Sequence, residues 1–319
     1  MAVDQETRAF LEQARRNATK PRHEQTVAEA RAGLAGLGAL FAHGPAMAQE
    51  KELSVPVAGA ELPVRVLVPN GVPSGLIVYF HGGGWVIGSV AEFTPLGRVL
   101  ADATGCAVAL VGYRRAPENP YPGPVDDAWA GLLWCTEHVS VLAGRDVPVL
   151  VAGDSAGANL AAATTLRARA AGPRLAGQIL AYPVTDHDPD RPSYVDPGNQ
   201  LMLTRDTMIW YWDHYLPDLE RRSEAEASPL RAADHRGLPP AVIVTAEHDV
   251  LRDEGDAYAQ ALLDAGVAVT LRRFPGQMHA FLMMVGLLPG SEAGARFIGA
   301  EVHRMLHGPA TVVQEGKRS

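Results

Sequence analysis

The stretch Pro148-Val149-Leu150-Val151-Ala152-Gly153-Asp154-Ser155-Ala156-Gly157 decides how this chain reads. Residues 148–152 are a short apolar run, and residues 155–171 are rich in alanine until Gly172-Pro173 stops them. A strand, a sharp turn and a helix therefore follow one another with no linker between them. A serine on such a turn adopts a strained backbone, so Gly153 and Gly157 must lack a Cβ for the turn to close. The hydroxyl then stands exposed at the positive end of a helix, where developing negative charge is favoured. Gly/Ser turns of this length also arise by chance; the strand before this one and the helix after it give it chemical meaning.

Working outward, a second glycine-rich turn follows the apolar run Leu76–Phe80: His81-Gly82-Gly83-Gly84-Trp85. Consecutive glycines let the backbone approach a ligand closely and turn N–H groups inward, as in an oxyanion hole. Such donors, joined by the N–H of Ala156, would hold the charge of a tetrahedral intermediate. A phosphate-binding loop is the competing reading, but no Lys-Ser/Thr follows and GxGxxG spacing is absent. His81 reads as a hydrogen-bonding brace of the loop rather than a base.

A serine hydroxyl is a poor nucleophile, so it needs a base and a carboxylate to orient that base. The chain has 11 histidines. His279 stands out because it follows a run over 267–274 and the loop Pro275-Gly276-Gln277-Met278, at the edge of a late strand. His23, His43, His138, His214, His235, His303 and His307 lie in helical or polar stretches, where a solvated imidazole is the default. His187 stays a lesser alternative, and His248 adjoins a better candidate for another role. The carboxylate is expected to end the preceding strand, 241–246, which runs into Glu247-His248-Asp249. Asp249 fits best and Glu247 is the alternative, while Asp253 and Asp256 read as first-turn helix residues. The order Ser155, Asp249, His279 is that of α/β-hydrolases and differs from both protease orders.

The rest of the chain supports the same architecture. Residues 1–45 have helical spacing, with Phe10, Leu11 and Ala14 on one face, then Leu34, Leu37, Leu40 and Phe41. Val64, Val66 and Val68 alternate as in one strand of an outer hairpin, ended by Pro69-Asn70-Gly71. Apolar runs at 106–111 and 178–182 and a final helix at 293–306 complete a strand–helix alternation. That pattern predicts an α/β fold with a mostly parallel sheet covered by helices on both faces. Residues 186–231 interrupt it with acidic and proline-rich stretches around an aromatic helix, Arg205–Tyr215. Such an insertion is placed to cover the C-terminal edge of the sheet, where ligands bind.

Read together, HGGGW, YRRAPENPYP (113–122), GDSAGANL (153–160), HDVLRDEG (248–255) and MHAF (278–281) resemble the bacterial hormone-sensitive-lipase-like esterases, the GDXG family of α/β-hydrolases. The resemblance runs from about 64 to 306 and implies an eight-stranded sheet. It implies Ser155 as nucleophile, His279 as base, Asp249 as orienter, and Gly83, Gly84 and Ala156 as oxyanion donors. It further implies a helical cap from 1–45 and 186–231 over a core at 46–185 and 232–319. Asp154 and Glu118 are expected to brace loops rather than react. Arg115 stands where the family usually has leucine, Val250 where proline commonly follows the acid, and Ala280 where glycine commonly follows the base. These departures concern loop rigidity and pocket walls, not proton transfer.

Composition bounds the partners. The chain has 319 residues, 47% of them hydrophobic, enough for a large core, and 20% charged residues spread along it. A net charge of −8 with no basic cluster argues against nucleic acid, and no basic amphipathic stretch suggests a membrane surface. Cys106 and Cys135 lack metal or redox spacing and read as buried thiols. The apolar run 34–41 and Ala46-Met47-Ala48 imitate a signal peptide, and Arg15-Arg16 a twin-arginine pair. The acidic residues Asp4, Glu6, Glu12, Glu24 and Glu29 ahead of the run argue against both, so a cytoplasmic protein is expected. No cofactor and no metal are implied, and a homodimer through the edge strand near 267–274 is an expectation from the family.

The expected activity is hydrolysis of small-molecule carboxylic esters with short acyl groups. Trp85, Leu203, Met208, Trp210, Trp212 and the run Leu282-Met283-Met284 are candidates to line the pocket, or simply to hold a cap onto the sheet. An amidase or N-deacetylase would use the same triad. A non-catalytic receptor of this fold would have lost the base, which His279 argues against.

Overall fold

The computed structural model describes residues 2–17 and 20–308; the expected last part of the core, 309–319, lies outside them. Eight strands form one sheet: β1 Gln49–Val57, β2 Ala60–Val68, β3 Leu76–Phe80, β4 Ala107–Val111, β5 Val149–Asp154, β6 Gly177–Ala181, β7 Ala241–His248 and β8 Val269–Met278. Their order is β1-β2-β4-β3-β5-β6-β7-β8. β1–β2 and β2–β4 pair antiparallel, and every later pair is parallel. Ten α-helices accompany them among the described residues: α1 Gln5–Asn17, α2 Val27–Gly38, α3 Val90–Thr104, α4 Gly123–Glu137, α5 Val139–Ala143, α6 Ala156–Ala171, α7 Pro192–Val195, α8 Arg205–Tyr215, α9 Arg252–Asp264 and α10 Pro289–His307.

β3, β4, β5 and β6 are buried at every position. A strand can be apolar at consecutive residues only if both sheet faces are covered. The helix pairs α3 with α10 and α4 with α6 supply that cover. β1 is the polar outer half of the hairpin whose inner half the valine alternation marks; its QEKELSVPV sequence faces solvent at most positions. β8 is longer than the sequence suggests, because residues 275–278 continue the strand instead of forming a loop. An irregularity between Ala246 and His248 lets His248 pair with Met278, and Gly276 N–H donates to the Glu247 carboxylate at 2.7 Å.

Strand register decides which loops become neighbours. Chain order reverses around β3, which lies between β4 and β5, and ligands collect at such a switch point. Phe80 pairs with Gly153, so the turns after β3 and β5 emerge side by side. His248 pairs with Met278, so the next residues, Asp249 and His279, emerge side by side too.

The N-terminal segment reaches the same edge. Asp4 N–H donates to Gly276 O at 3.1 Å, and α1 touches β8. A single 3₁₀ turn, Arg22–Glu24, packs on α8. α2 starts at a reciprocal cap between Thr26 and Glu29 and lies on α3. α2 ends at Gly38, which leaves Leu40 largely exposed although Phe41 is buried. The insertion is tied down near Asp249: Ser193 Oγ donates to Val250 O at 2.6 Å, and Thr185 N–H donates to buried Glu254 at 2.9 Å. No described helix is long and apolar enough to cross a membrane.

Backbone meets backbone most closely, at the glycines of this core, where α6 crosses the end of β3. A Cβ on Gly157 would sit 2.0 Å from Phe80 O, an overlap that only backbone movement relieves. Gly157→Ala is expected to lose stability at or beyond the upper end of the ~1–3 kcal/mol typical of overpacking. Gly36→Ala is the control, because a Cβ at that interior position of α2 meets nothing within 4 Å. That change should gain ~0.5–1 kcal/mol of helix propensity. Urea midpoints of the two variants check both signs.

Candidate active site

Ser155 occupies the turn between β5 and α6 with φ 52° and ψ −120°. Its N–H donates to Ala181 O at 2.9 Å, and its own carbonyl accepts from Asn159 at 3.1 Å and Val184 at 3.3 Å. The strained residue is thus held from β6 and from α6 together. Gly153 makes the turn possible: a Cβ there would fall 2.3 Å from the Gly157 carbonyl.

His279 Nε2 lies 3.1 Å from Ser155 Oγ, and His279 Nδ1 lies 2.7 Å from Asp249 Oδ2. An ionised carboxylate only accepts, so Nδ1 carries the proton and Nε2 offers its lone pair to the serine. Asp249 is held in turn by Leu251 N–H at 2.9 Å on its other oxygen. All three side chains are buried, with Ser155 at 6%, Asp249 at 1% and His279 at 8% exposure. Low solvent access strengthens each of these contacts. The Tyr182 ring meets the imidazole edge-on at 4.9 Å. Glu247, the alternative orienter, is occupied by Gly276 N–H, and His187 Nδ1 lies 3.4 Å from Ser228 Oγ, away from the serine. Ala280 follows His279 at φ 65°, the left-handed region glycine prefers, so the glycine that the family resemblance leads one to expect here would suit this backbone.

The HGGGW turn folds against this group. Gly83 and Gly84 have φ 113° and 57° and line the cavity at Ser155. Among the described residues no acceptor takes the N–H of Gly83, Gly84 or Ala156. A Cβ on Gly84 would meet the Tyr211 ring at 2.2 Å, so α8 presses directly on this turn. Asp154 braces it from below: Tyr79 Oη donates to Oδ1 at 2.9 Å and Gly82 N–H donates to the same oxygen at 2.8 Å. His81 is buried with Nδ1 2.8 Å from Gly82 O, and burial holds it neutral with its pKa down at about 4. Its ring stacks on Tyr113 at 4.4 Å, a packing role rather than a basic one. Arg115 Nη1 donates to Gly88 O at 2.7 Å, so the residue that departs from leucine ties the far end of the same loop.

Arg31 joins the N-terminal helix to this loop. Its Nε donates to Val86 O at 2.9 Å, Nη2 donates to Ala116 O at 3.0 Å, and the fork grips Glu118 at 2.6 and 2.7 Å. The guanidinium holds the Glu118 carboxyl down at about 2.

The cavity at Ser155 has a volume of about 80 Å³. Leu203 and Met283 line it as the sequence suggests. Trp85, Met208 and Trp212 do not: they are at most 3% exposed and pack on one another's side of α8. Trp85 stacks on Tyr215 at 4.0 Å and donates from Nε1 to Asn159 at 3.3 Å, which makes it a core residue. The cavity takes Thr207 and Tyr211 from α8 instead, together with Leu34, Ile87, Phe93 and Arg22. Thr207 and Tyr211 are one helical turn apart, and Met208, Trp212 and Tyr215 form the neighbouring stripe, buried as well. Aromatic content marks α8, but only its rotation about its axis tells which stripe faces the serine.

The alpha/beta hydrolase fold family matches residues 77–283. The chain is 40% identical over 254 residues to the carboxylesterase NlhH of Mycobacterium tuberculosis, covering 77% of this chain and 79% of that protein. It is 36% identical over 244 residues to an ethyl acetate hydrolase of Pseudomonas putida, covering 74% and 76%. Among solved structures, a thermostable esterase from Pseudomonas putida superposes with a TM-score of 0.88 at 36% identity, covering 96% of this chain and 98% of that one.

Burial pushes the Asp154 carboxyl up from 3.8 to about 6, against the two hydrogen bonds that favour its ionised form. A raised acid contributes stability fully below its unfolded pKa and loses it as pH rises through the folded value. Asp154→Asn, which keeps an acceptor for Tyr79 and Gly82 but cannot ionise, should therefore gain on the wild type between pH 4 and 6. The gain is at most ~3 kcal/mol. Urea unfolding of both proteins across that window checks it; a constant gap between them would contradict the burial argument.

Proposed function

Since the chain belongs to the α/β-hydrolase fold family, among its hormone-sensitive-lipase-like carboxylesterases, we propose that it hydrolyses short-chain carboxylic esters through Ser155, His279 and Asp249. The observation that carries this is the unbroken hydrogen-bonded line from Ser155 Oγ through both imidazole nitrogens to Asp249. In the acylation step Ser155 Oγ attacks the ester carbonyl carbon while His279 Nε2 takes its proton. The carbonyl oxygen becomes an oxyanion and receives the free N–H groups of Gly83, Gly84 and Ala156. Collapse breaks the bond to the alcohol oxygen, which leaves with the proton now on His279. Water then attacks the acyl-enzyme with His279 as base, and the carboxylic acid departs as Ser155 recovers its proton. Asp249 stays ionised throughout and stabilises the imidazolium that forms twice per cycle.

We propose the same division of labour for the covering segments: 1–45 and 186–231 act as a cap, since both reach the C-terminal edge beside Ser155. The size of the small cavity supports short acyl groups. That cavity is about 80 Å³ and ends at side chains of α8 and of the segment after β3. Its apolar wall of Leu34, Ile87, Phe93, Leu203 and Met283 suits an alkyl chain.

Ser155→Ala is expected to lower turnover by on the order of 10⁶. A fluorophosphonate should label Ser155 in the wild type and leave the variant unmodified; label on another residue would refute the assignment. Nitrophenyl butyrate is expected to be cleaved with a higher kcat/KM than nitrophenyl palmitate, measured on the same enzyme. Preference for palmitate would reject the short-chain assignment while leaving the triad standing.

A further inference from the structure

A second, larger cavity of about 1000 Å³ lies between α1 and α2, and it shares two wall residues with the catalytic cavity: Arg22 and Met202. Arg22 therefore stands on the wall common to the two chambers. It is the one guanidinium or ammonium group lining the catalytic cavity among the described residues.

Its neighbours fix it in place without neutralising it. Nη1 donates to Ala30 O at 2.7 Å and to Gln25 Oε1 at 3.2 Å, both uncharged oxygens. Gln25 is itself pinned, its Nε2 donating to Lys20 O at 3.0 Å. Gly33 leaves room for the guanidinium, since a Cβ there would come to 3.4 Å from Nη1. Nε and Nη2 have no acceptor among the described residues, and no carboxylate pairs with Arg22. Of the other charges on the large cavity, Lys20 and Glu29 pair with each other at 2.9 Å, and Glu6 on α1 forms no ion pair with Arg22 among the described residues.

A half-buried arginine whose fork is oriented but unfilled is a receptor for a planar anion, because two N–H groups match the two oxygens of a carboxylate. We propose that Arg22 is a specificity residue for esters that carry a second, free carboxylate remote from the scissile bond, such as half-esters of dicarboxylic acids. The proposal rests on Ser155 being the nucleophile: with the ester carbonyl at Ser155 and the small cavity limited to a few carbons, the distal acid emerges at Arg22.

Two substrate pairs test it, one for each side of the ester. Mono-4-nitrophenyl adipate is compared with 4-nitrophenyl hexanoate, and 4-acetoxybenzoate with its methyl ester. The readout is the ratio of kcat/KM for the anionic over the neutral member, which cancels any general loss of fold or activity. Arg22→Gln is expected to lower that ratio roughly tenfold to hundredfold in at least one pair, the factor carried by one hydrogen bond to a charged group. The change should fall in KM more than in kcat, as for an interaction made equally in ground and transition states. Arg22→Lys should keep part of the preference as a point charge without the fork, and Arg22→Glu should reverse it. Ratios that stay within twofold of wild type in both pairs for Arg22→Gln and Arg22→Glu overturn the proposal. Ser155→Ala separates the two questions: hydrolysis surviving in that variant would remove the nucleophile assignment, whatever the ratios say about Arg22.

Discussion

Ser155 sits in a backbone conformation that side-chain-bearing residues avoid, and the fold around it is arranged to keep it there. Its φ of 52° is tolerated because Gly153 and Gly157 let β5, α6 and the end of β3 close to within atomic contact. Phe80 O lies where a Cβ of residue 157 would be, so the strand that carries the HGGGW turn touches the helix that carries the serine. One steric condition thus joins the Ser155 turn to the HGGGW turn. The parallel register extends it: once β5 is placed beside β3 and β6, β7 and β8 follow in order, and Asp249 and His279 arrive together at the same edge.

Electrostatics refines what sterics establishes. Asp154 is a fully buried carboxyl next to Ser155, yet it faces Tyr79 and Gly82 rather than the Ser155–His279 pair. Its burial disfavours the charge, while the donors it gathers fix the first glycine of the HGGGW turn. Asp249 is equally buried but differs in its partners, receiving the imidazole on one oxygen and Leu251 N–H on the other. Two aspartates at strand ends therefore serve separate tasks, one holding backbone and the other holding an imidazole.

Much of this was legible in the chain itself. The apolar runs of β3 to β6 announce a sheet covered on both faces, and the glycines at 83, 84, 153 and 157 are required by turns that no other residue closes. Asp249 and His279 were legible because each follows a strand. Features set by rotation or by distant pairing were not. Trp85, Met208 and Trp212 are large and lie near the right loops, but Trp85 turns away at φ 60° and α8 presents Tyr211 instead. The end of β8 was hidden because proline and glycine at 275–276 signal a loop, whereas pairing with His248 keeps the chain extended. Arg22 lies in a polar stretch with no periodicity, and only its packing against Gly33 and α8 brings it to the cavity.

Arg31 unites parts that a moving cap would have to separate. From α2 it reaches Val86 and Ala116 on the body of the enzyme and closes on Glu118. Val86 N–H in turn bonds the carbonyl of Gly83, which shares a cavity wall with Ser155. Lifting α2 therefore means releasing these acceptors together, in a single step rather than by gradual fraying. Val86 is thus a shared joint: its carbonyl receives Arg31 from α2 while its N–H holds the glycine turn that lines the cavity at Ser155, so a loss of either hold is felt by the other.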